Sequence, residues 1–205
     1  MPIVYYPTLL KQSQAFEAGL QQLIQLGRIP ASLTMDPYTF KIYNLGARDV
    51  LANSDLDAAA RLLGYRYFAH GDAPEAVVAG DVDASSTPQV TALSYGSSVQ
   101  DTLLAKKRFD EHPDLSDPAS ANYEPRLLRI PGLYVEAFWL KPLSGGGADS
   151  VIPYHTLIPD LDSATPIPVK EFFDKVRPLA EQALQESDAP KAAPKRITAL
   201  PRFAK

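Results

Sequence analysis

The sequence predicts an α+β fold, a mainly antiparallel β-sheet carrying three to four packed α-helices. Three observations lead there. Residues 126–157 hold two apolar runs, RLLRIPGLYVEAFWLKPL and SVIPYHTL, around a connection of Ser, Gly and Asp, the pattern of a hairpin at the centre of a sheet. Separate segments repeat apolar residues at helical spacing. Two strand-like segments, YRYFAHG and APEAVVAGDV, follow one another too closely for a parallel crossover, which needs about a dozen residues or more.

Taken in order, residues 3–6 (IVYY) suit a short strand ending before Pro7. SQAFEAGLQQLIQLG then places Phe16, Leu20, Leu23 and Ile24 three and four apart, an amphipathic helix closed by Gly27. In PYTFKIYNLG, Tyr38, Phe40 and Ile42 alternate with Thr39, Lys41 and Tyr43, which makes a strand. Ser54 and Asp57 stand at capping spacing before LDAAARLLG, a short helix expected to stop at Gly64. YRYFAHG and APEAVVAGDV read as two antiparallel strands turning around Gly71 to Pro74, and VTALSYG as a third. SSVQDTLLAKKRFDEH begins a helix, with Lys106, Lys107 and Arg108 toward the favourable end of its dipole.

After the DLSDPASANYEP loop comes the hairpin. Leu133, Val135, Ala137 and Trp139 share one face of its first arm, and Tyr134, Glu136, Phe138 and Leu140 the other. Both faces are largely apolar, so the strand is expected to be covered on each side, with Trp139 in the main core. A last helix starts near Val169. Pro178 removes an amide inside it, and a bend or restart is expected there.

At 205 residues the chain is long enough for a core that needs neither metals nor disulfides. The domain reading is one α+β domain over residues 1–185 and a basic tail, weakly ordered or docked, over 186–205. Nineteen prolines, roughly twice the ordinary share, imply short elements and irregular connections. The lack of cysteine excludes disulfide stapling, thiolate nucleophiles and sulfur-ligated metals. The N-terminus shows no basic leader with an apolar core, and no apolar run approaches eighteen residues, so a soluble cytoplasmic protein without a membrane span is expected. A formal charge of -4 offers no general field for nucleic acid. Only the tail is basic, with Lys191, Lys195, Arg196, Arg202 and Lys205 against Glu186 and Asp188. It is the place where an acidic partner would bind, and its Ile197, Leu200 and Phe203 recur every third residue.

No cofactor or metal is called for. His70, His112 and His155 are too far apart in sequence for a local metal motif. Asp81, Asp83 and Ser85 open like a calcium loop, but Ser86 and Ala92 occupy the positions that require Gly and Glu. Gly145 to Gly147 are followed by Ala148, Asp149 and Ser150 where a phosphate loop has Gly-Lys-Ser/Thr. Ser97 and Ser98 read as helix caps. Glu136 stands out on an apolar strand. Buried, it needs a cationic or hydrogen-bonding partner; half covered, its charge reaches solvent. Neither Glu124 nor Asp162 can be assigned as its companion from sequence alone.

These features favour a non-catalytic interaction or accessory protein that binds a protein partner or a second copy. Tyr5, Tyr6, Tyr38, Tyr43, Tyr65 and Tyr67 would supply contacts. The enzyme alternative is a small hydrolase assembled from strand ends, with Ser94 as nucleophile, His155 as base and Glu136 or Asp83 as orienting acid. A second alternative is binding of an acidic partner by the tail.

Overall fold

The computed structural model describes residues 3–73, 76–111, 122–143, 147–161 and 165–188. One sheet runs through them. Its strands are β1 (Tyr6–Pro7), β2 (Thr34–Met35), β3 (Tyr38–Asn44), β4 (Arg61–His70), β5 (Val77–Asp83), β6 (Val90–Tyr95), β7 (Tyr123–Ile130), β8 (Val135–Pro142), β9 (Ser150–His155) and β10 (Ile167–Pro168). The order is β10-β9-β8-β7-β3-β4-β5-β6, with β1 on β3 and β2 on β4. All of these pairs are antiparallel except β3 with β7. The sheet is thus two antiparallel meanders, β3 to β6 and β7 to β10, joined along one parallel seam.

Five α-helices lie on the described residues: α1 (Leu10–Gln25), α2 (Ala47–Ala52), α3 (Leu56–Ala59), α4 (Ser97–Asp110) and α5 (Val169–Asp188). That is one more than the three to four expected, because the six-residue α2 has too few turns to show a period. One face of the sheet is divided. α1 covers its β4–β6 half through Phe16 and Leu20 on Tyr67, Val78 and Val82, while α2, α3 and α5 cover the β7–β10 half around Trp139, Phe172, Phe173 and Val176. The opposite face packs Phe40, Phe68, Leu127, Phe138 and Ile152 with Val99 and Ala105 of α4.

Local chemistry accounts for the end of α1 and for its close seat on the sheet. Gly27 adopts φ +64°, and the amides of Gly27 and Arg28 return to the carbonyls of Ile24 and Leu23, so α1 ends there as the sequence implies. α1 approaches β5 closely because Gly80 has no side chain: a Cβ there would lie 2.3 Å from the Phe16 ring.

Three expectations need correction. The arm 126–140 is not one strand of a central hairpin. Pro131–Leu133 form a 3-10 turn, Tyr134 takes a left-handed conformation at φ 53°, and the chain reverses between β7 and β8. Residues 123–155 are therefore a three-stranded meander, and the seam lies nearer the middle of the sheet than the β8–β9 hairpin does. LDAAARLLG is helical only over Leu56–Ala59, where the carboxylate of Asp55, not Ser54, caps the helix by accepting from the Asp57 amide. Arg61 already opens β4, since pairing with β3 is available to it. α5 runs unbroken through Pro178 and on to Asp188, three residues into the segment read as tail.

The expected β8 placement holds where it matters for the core. Trp139 is 0% exposed and shares its face with Val135 and Ala137.

Candidate functional site

Alternation along five strands puts charged and polar side chains together at one end of the face packed by α4. On β4, Arg66 follows Tyr65 and precedes Tyr67 but points the other way, alongside Phe68. Its register partner on β5 is Asp81. Arg66 Nε donates to Asp81 Oδ1 at 2.7 Å and Nη2 to Oδ2 at 3.0 Å, a bidentate pair with both side chains buried. From β7, Arg129 Nη2 reaches the same Oδ2 at 2.7 Å. These strands are three positions apart, about 14 Å at ordinary spacing, a span the two side chains cover only by lying along the sheet. Arg129 Nε also donates to Glu136 Oε1 at 3.1 Å, and Tyr154 Oη donates to Glu136 Oε2 at 3.0 Å.

The chain Arg66–Asp81–Arg129–Glu136–Tyr154 is formally neutral. Burial alone would push the Asp81 carboxyl up, but hydrogen bonds and charge from Arg66 and Arg129 outweigh it and hold Asp81 below the ordinary carboxylate value. Burial likewise works against the Arg66 charge and is overcome by Asp81. Burial, then the Glu136 charge, keep the Tyr154 hydroxyl protonated well above its ordinary range.

The four charged groups of this chain line a cavity of about 180 Å³, bounded by Arg66, Ala79, Asp81, Ala92, Ser94, Val99, Arg129 and Glu136. Two of the three proposed catalytic residues therefore meet here. Ser94 enters from β6, on the same face as Ala92, which pairs with Asp81. Glu136 enters from β8. His155 pairs in register with Glu136 but sits exposed at the end of β9 and does not line the cavity; Tyr154, beside it, makes the bond to Glu136 instead.

The remaining candidates lie elsewhere. His70 is at the opposite end of the sheet, four strand positions from β9, with Nε2 3.2 Å from Asp36. Asp83 is half-buried at the end of β5 and accepts from the amide and hydroxyl of Ser85, an ordinary polar turn that holds its carboxyl low. Asp149 accepts from Trp139 and Lys141, and Glu124 pairs with Lys41 and Arg126. His112, Asp162, Gly145, Gly146 and residues 189–205 of the tail lie outside the described residues, and nothing is described of the Ser97 and Ser98 side chains. Among the described residues, no three His, Asp or Glu side chains are grouped so as to hold a metal ion.

The six tyrosines do not form an exposed patch. Tyr5 stacks on Tyr38 at 4.4 Å, Tyr6 on Tyr65 at 5.9 Å and Tyr67 on Phe16 at 5.6 Å, and Tyr43 meets the Trp139 edge at 5.2 Å. Lys41 Nζ lies 4.0 Å from the centre of the Tyr6 ring. On this other face a second charge chain runs Lys41–Glu124–Arg126–Asp57–Lys141–Asp149, with Lys41 to Glu124 at 3.1 Å and Arg126 to Glu124 at 2.6 Å.

Sequence reasoning singled out Glu136 and its need for a cation but did not name Arg66, Arg129 or Tyr154. A usable signal was present. Arg66 and Arg129 each stand at the inward phase of a strand whose neighbours at offset two, Phe68 and Leu127, are apolar, the same anomaly that drew attention to Glu136. Comparison with protein-family models, curated proteins and solved structures finds no match to this chain. Within the described residues no helix is long and apolar enough to cross a membrane.

Proposed function

We propose that this is a non-catalytic binding protein with an accessory role, and that the cavity among Arg66, Asp81, Ser94, Arg129 and Glu136 is its ligand site. The observation that carries this reading is the pairing of every charged group on the cavity wall with its opposite. Both carboxylates are engaged by guanidinium groups, so neither is free to take a proton from Ser94, and His155 is turned to solvent. A simple ion would meet a wall group of its own sign. A zwitterion, or a neutral molecule rich in donors and acceptors, can bond to both kinds of group. The volume equals about six waters at roughly 30 Å³ each, the size of a free amino acid or a small polyol.

Titration with free amino acids and small polyols, followed by nuclear magnetic resonance of the arginine side chains, tests this. The expected result is that at least one such probe shifts the Arg66 and Arg129 Nε signals, and that Glu136→Gln weakens that binding about tenfold or more, the loss of a charge-assisted bond. Absence of any shift across both probe classes would sink the reading. The hydrolase alternative keeps one supporting observation, that Ser94 and Glu136 share this cavity. It requires turnover of an activated ester that disappears in Ser94→Ala.

A further inference from the structure

The last two turns of α5 end beside an apolar groove of about 230 Å³ that is open among the described residues. Leu179, Gln182, Ala183 and Glu186 form its α5 wall, and Leu133, Tyr134, Leu157 and Ile158 the other. Tyr134 is 68% exposed and Leu157 74% exposed, large apolar surface standing in water. Tyr134 is also the residue that takes a positive φ, so the turn between β7 and β8 holds this ring outward at some backbone cost.

Charge supplies the second observation. α5 has no basic residue in its last turn, while Glu181, Glu186 and Asp188 crowd the end where the helix dipole is already negative. The seventeen residues that follow, 189–205, carry Lys191, Lys195, Arg196, Arg202 and Lys205 and no acid. Within them Ile197, Leu200 and Phe203 recur every third residue.

Reach supplies the third. Pro190 cannot continue the helical hydrogen bonding of α5. Residues 189–196, if extended, cover about 26 Å, whereas Leu179 lies only about 14 Å back along the helix from Asp188.

We infer that residues 197–203 of this same chain dock into the Tyr134–Leu157–Leu179–Ala183 groove, with the basic residues around them offsetting the acidic end of α5. The inference is independent of the ligand cavity, which lies on the other face of the sheet. It assigns the tail an intramolecular occupant's role in place of a purely solubilising one.

The chain has no cysteine, so an engineered pair is the only thiol pair present. In the full-length protein, Leu157→Cys with Leu200→Cys is compared with Leu26→Cys with Leu200→Cys; Leu26 is 65% exposed at the end of α1, on the half of the sheet away from α5. The expected result is an intramolecular disulfide forming about tenfold faster or more in the 157–200 pair, the gain from docked proximity. Equal rates for the two pairs, or bridges formed only between chains, overturn the inference. Hydrogen exchange provides a second reading without cysteines. Replacing Ile197, Leu200 and Phe203 by serine in the full chain speeds exchange at residues 156–158 and 179–186 if the segment docks, and unchanged rates there refute it.

Discussion

Truncating Trp139 to alanine will cost about 3–5 kcal/mol of unfolding free energy, the range for an aromatic ring removed from a packed core. The ring is fully buried on β8 among Val135, Ala137, Phe172 and Phe173, and Tyr43 meets its edge. Its Nε1 donates to Asp149 Oδ2 at 2.9 Å, and the Arg126 guanidinium lies 4.7 Å from the ring centre. Alanine would therefore remove apolar area, a hydrogen bond and a cation–π contact together. Trp139→Phe separates these. It keeps most of the apolar contact and loses the indole bond, so its cost should be about 1–2 kcal/mol, with Asp149 still paired to Lys141. Denaturant unfolding of both variants gives the comparison. An alanine variant within about 0.5 kcal/mol of the parent protein would exclude Trp139 from any core role.

Asp81→Asn will cost a similar amount, about 3–5 kcal/mol, by leaving the buried Arg66 without its anion. The side chain keeps its shape, so the loss reports charge and not packing. Adding Arg66→Met should recover a substantial part of it, since an apolar side chain in the same place requires no counter-charge. A double variant no more stable than Asp81→Asn would mean that Arg66 is held by something other than this pair. The same carboxylate sets an acid limit. Its pKa is depressed in the folded protein, so its contribution is present above the ordinary carboxylate range and fades as pH falls below about 4 and through the folded value. Asp81→Asn should accordingly lose less stability than the parent protein between about pH 4 and pH 2.

Local signals in the sequence identify the segments that stand alone. α1 declares itself through Phe16, Leu20 and Gly27, the β4–β5 hairpin through its short turn, and α5 through Phe172, Phe173 and Val176. What escapes such reading is settled by distant partners. Leu62 and Leu63 fit a helix as well as a strand, and only the presence of β3 decides between them. The Pro131–Gly132 pair is a turn signal overridden by the length of the apolar run around it. Glu136 was recognisable as anomalous, but its arginine also binds Asp81, 48 residues earlier in the chain, and no spacing rule connects them. The pairing of β3 with β7 is equally invisible, because parallel neighbours separated by a long excursion leave no mark on either strand.

That seam carries a kinetic consequence. Within each meander the strands find neighbours close in sequence, whereas Ile42, Tyr43 and Asn44 must wait for Leu127, Leu128 and Arg129, about 85 residues away. Folding is therefore expected to proceed by assembly of two semi-independent halves and a late, slow zipping of one onto the other. By the same logic the line of first parting under stress runs between β3 and β7, resisted by Lys41–Glu124 on one face and Arg129–Asp81 on the other. Amides along the seam should exchange at a lower opening free energy than those inside either half, and raising the salt concentration should lower it further by screening the partly exposed cations of the two clasps, Lys41 and Arg129. Equal protection across the whole sheet would instead mark a molecule that opens only as a single unit.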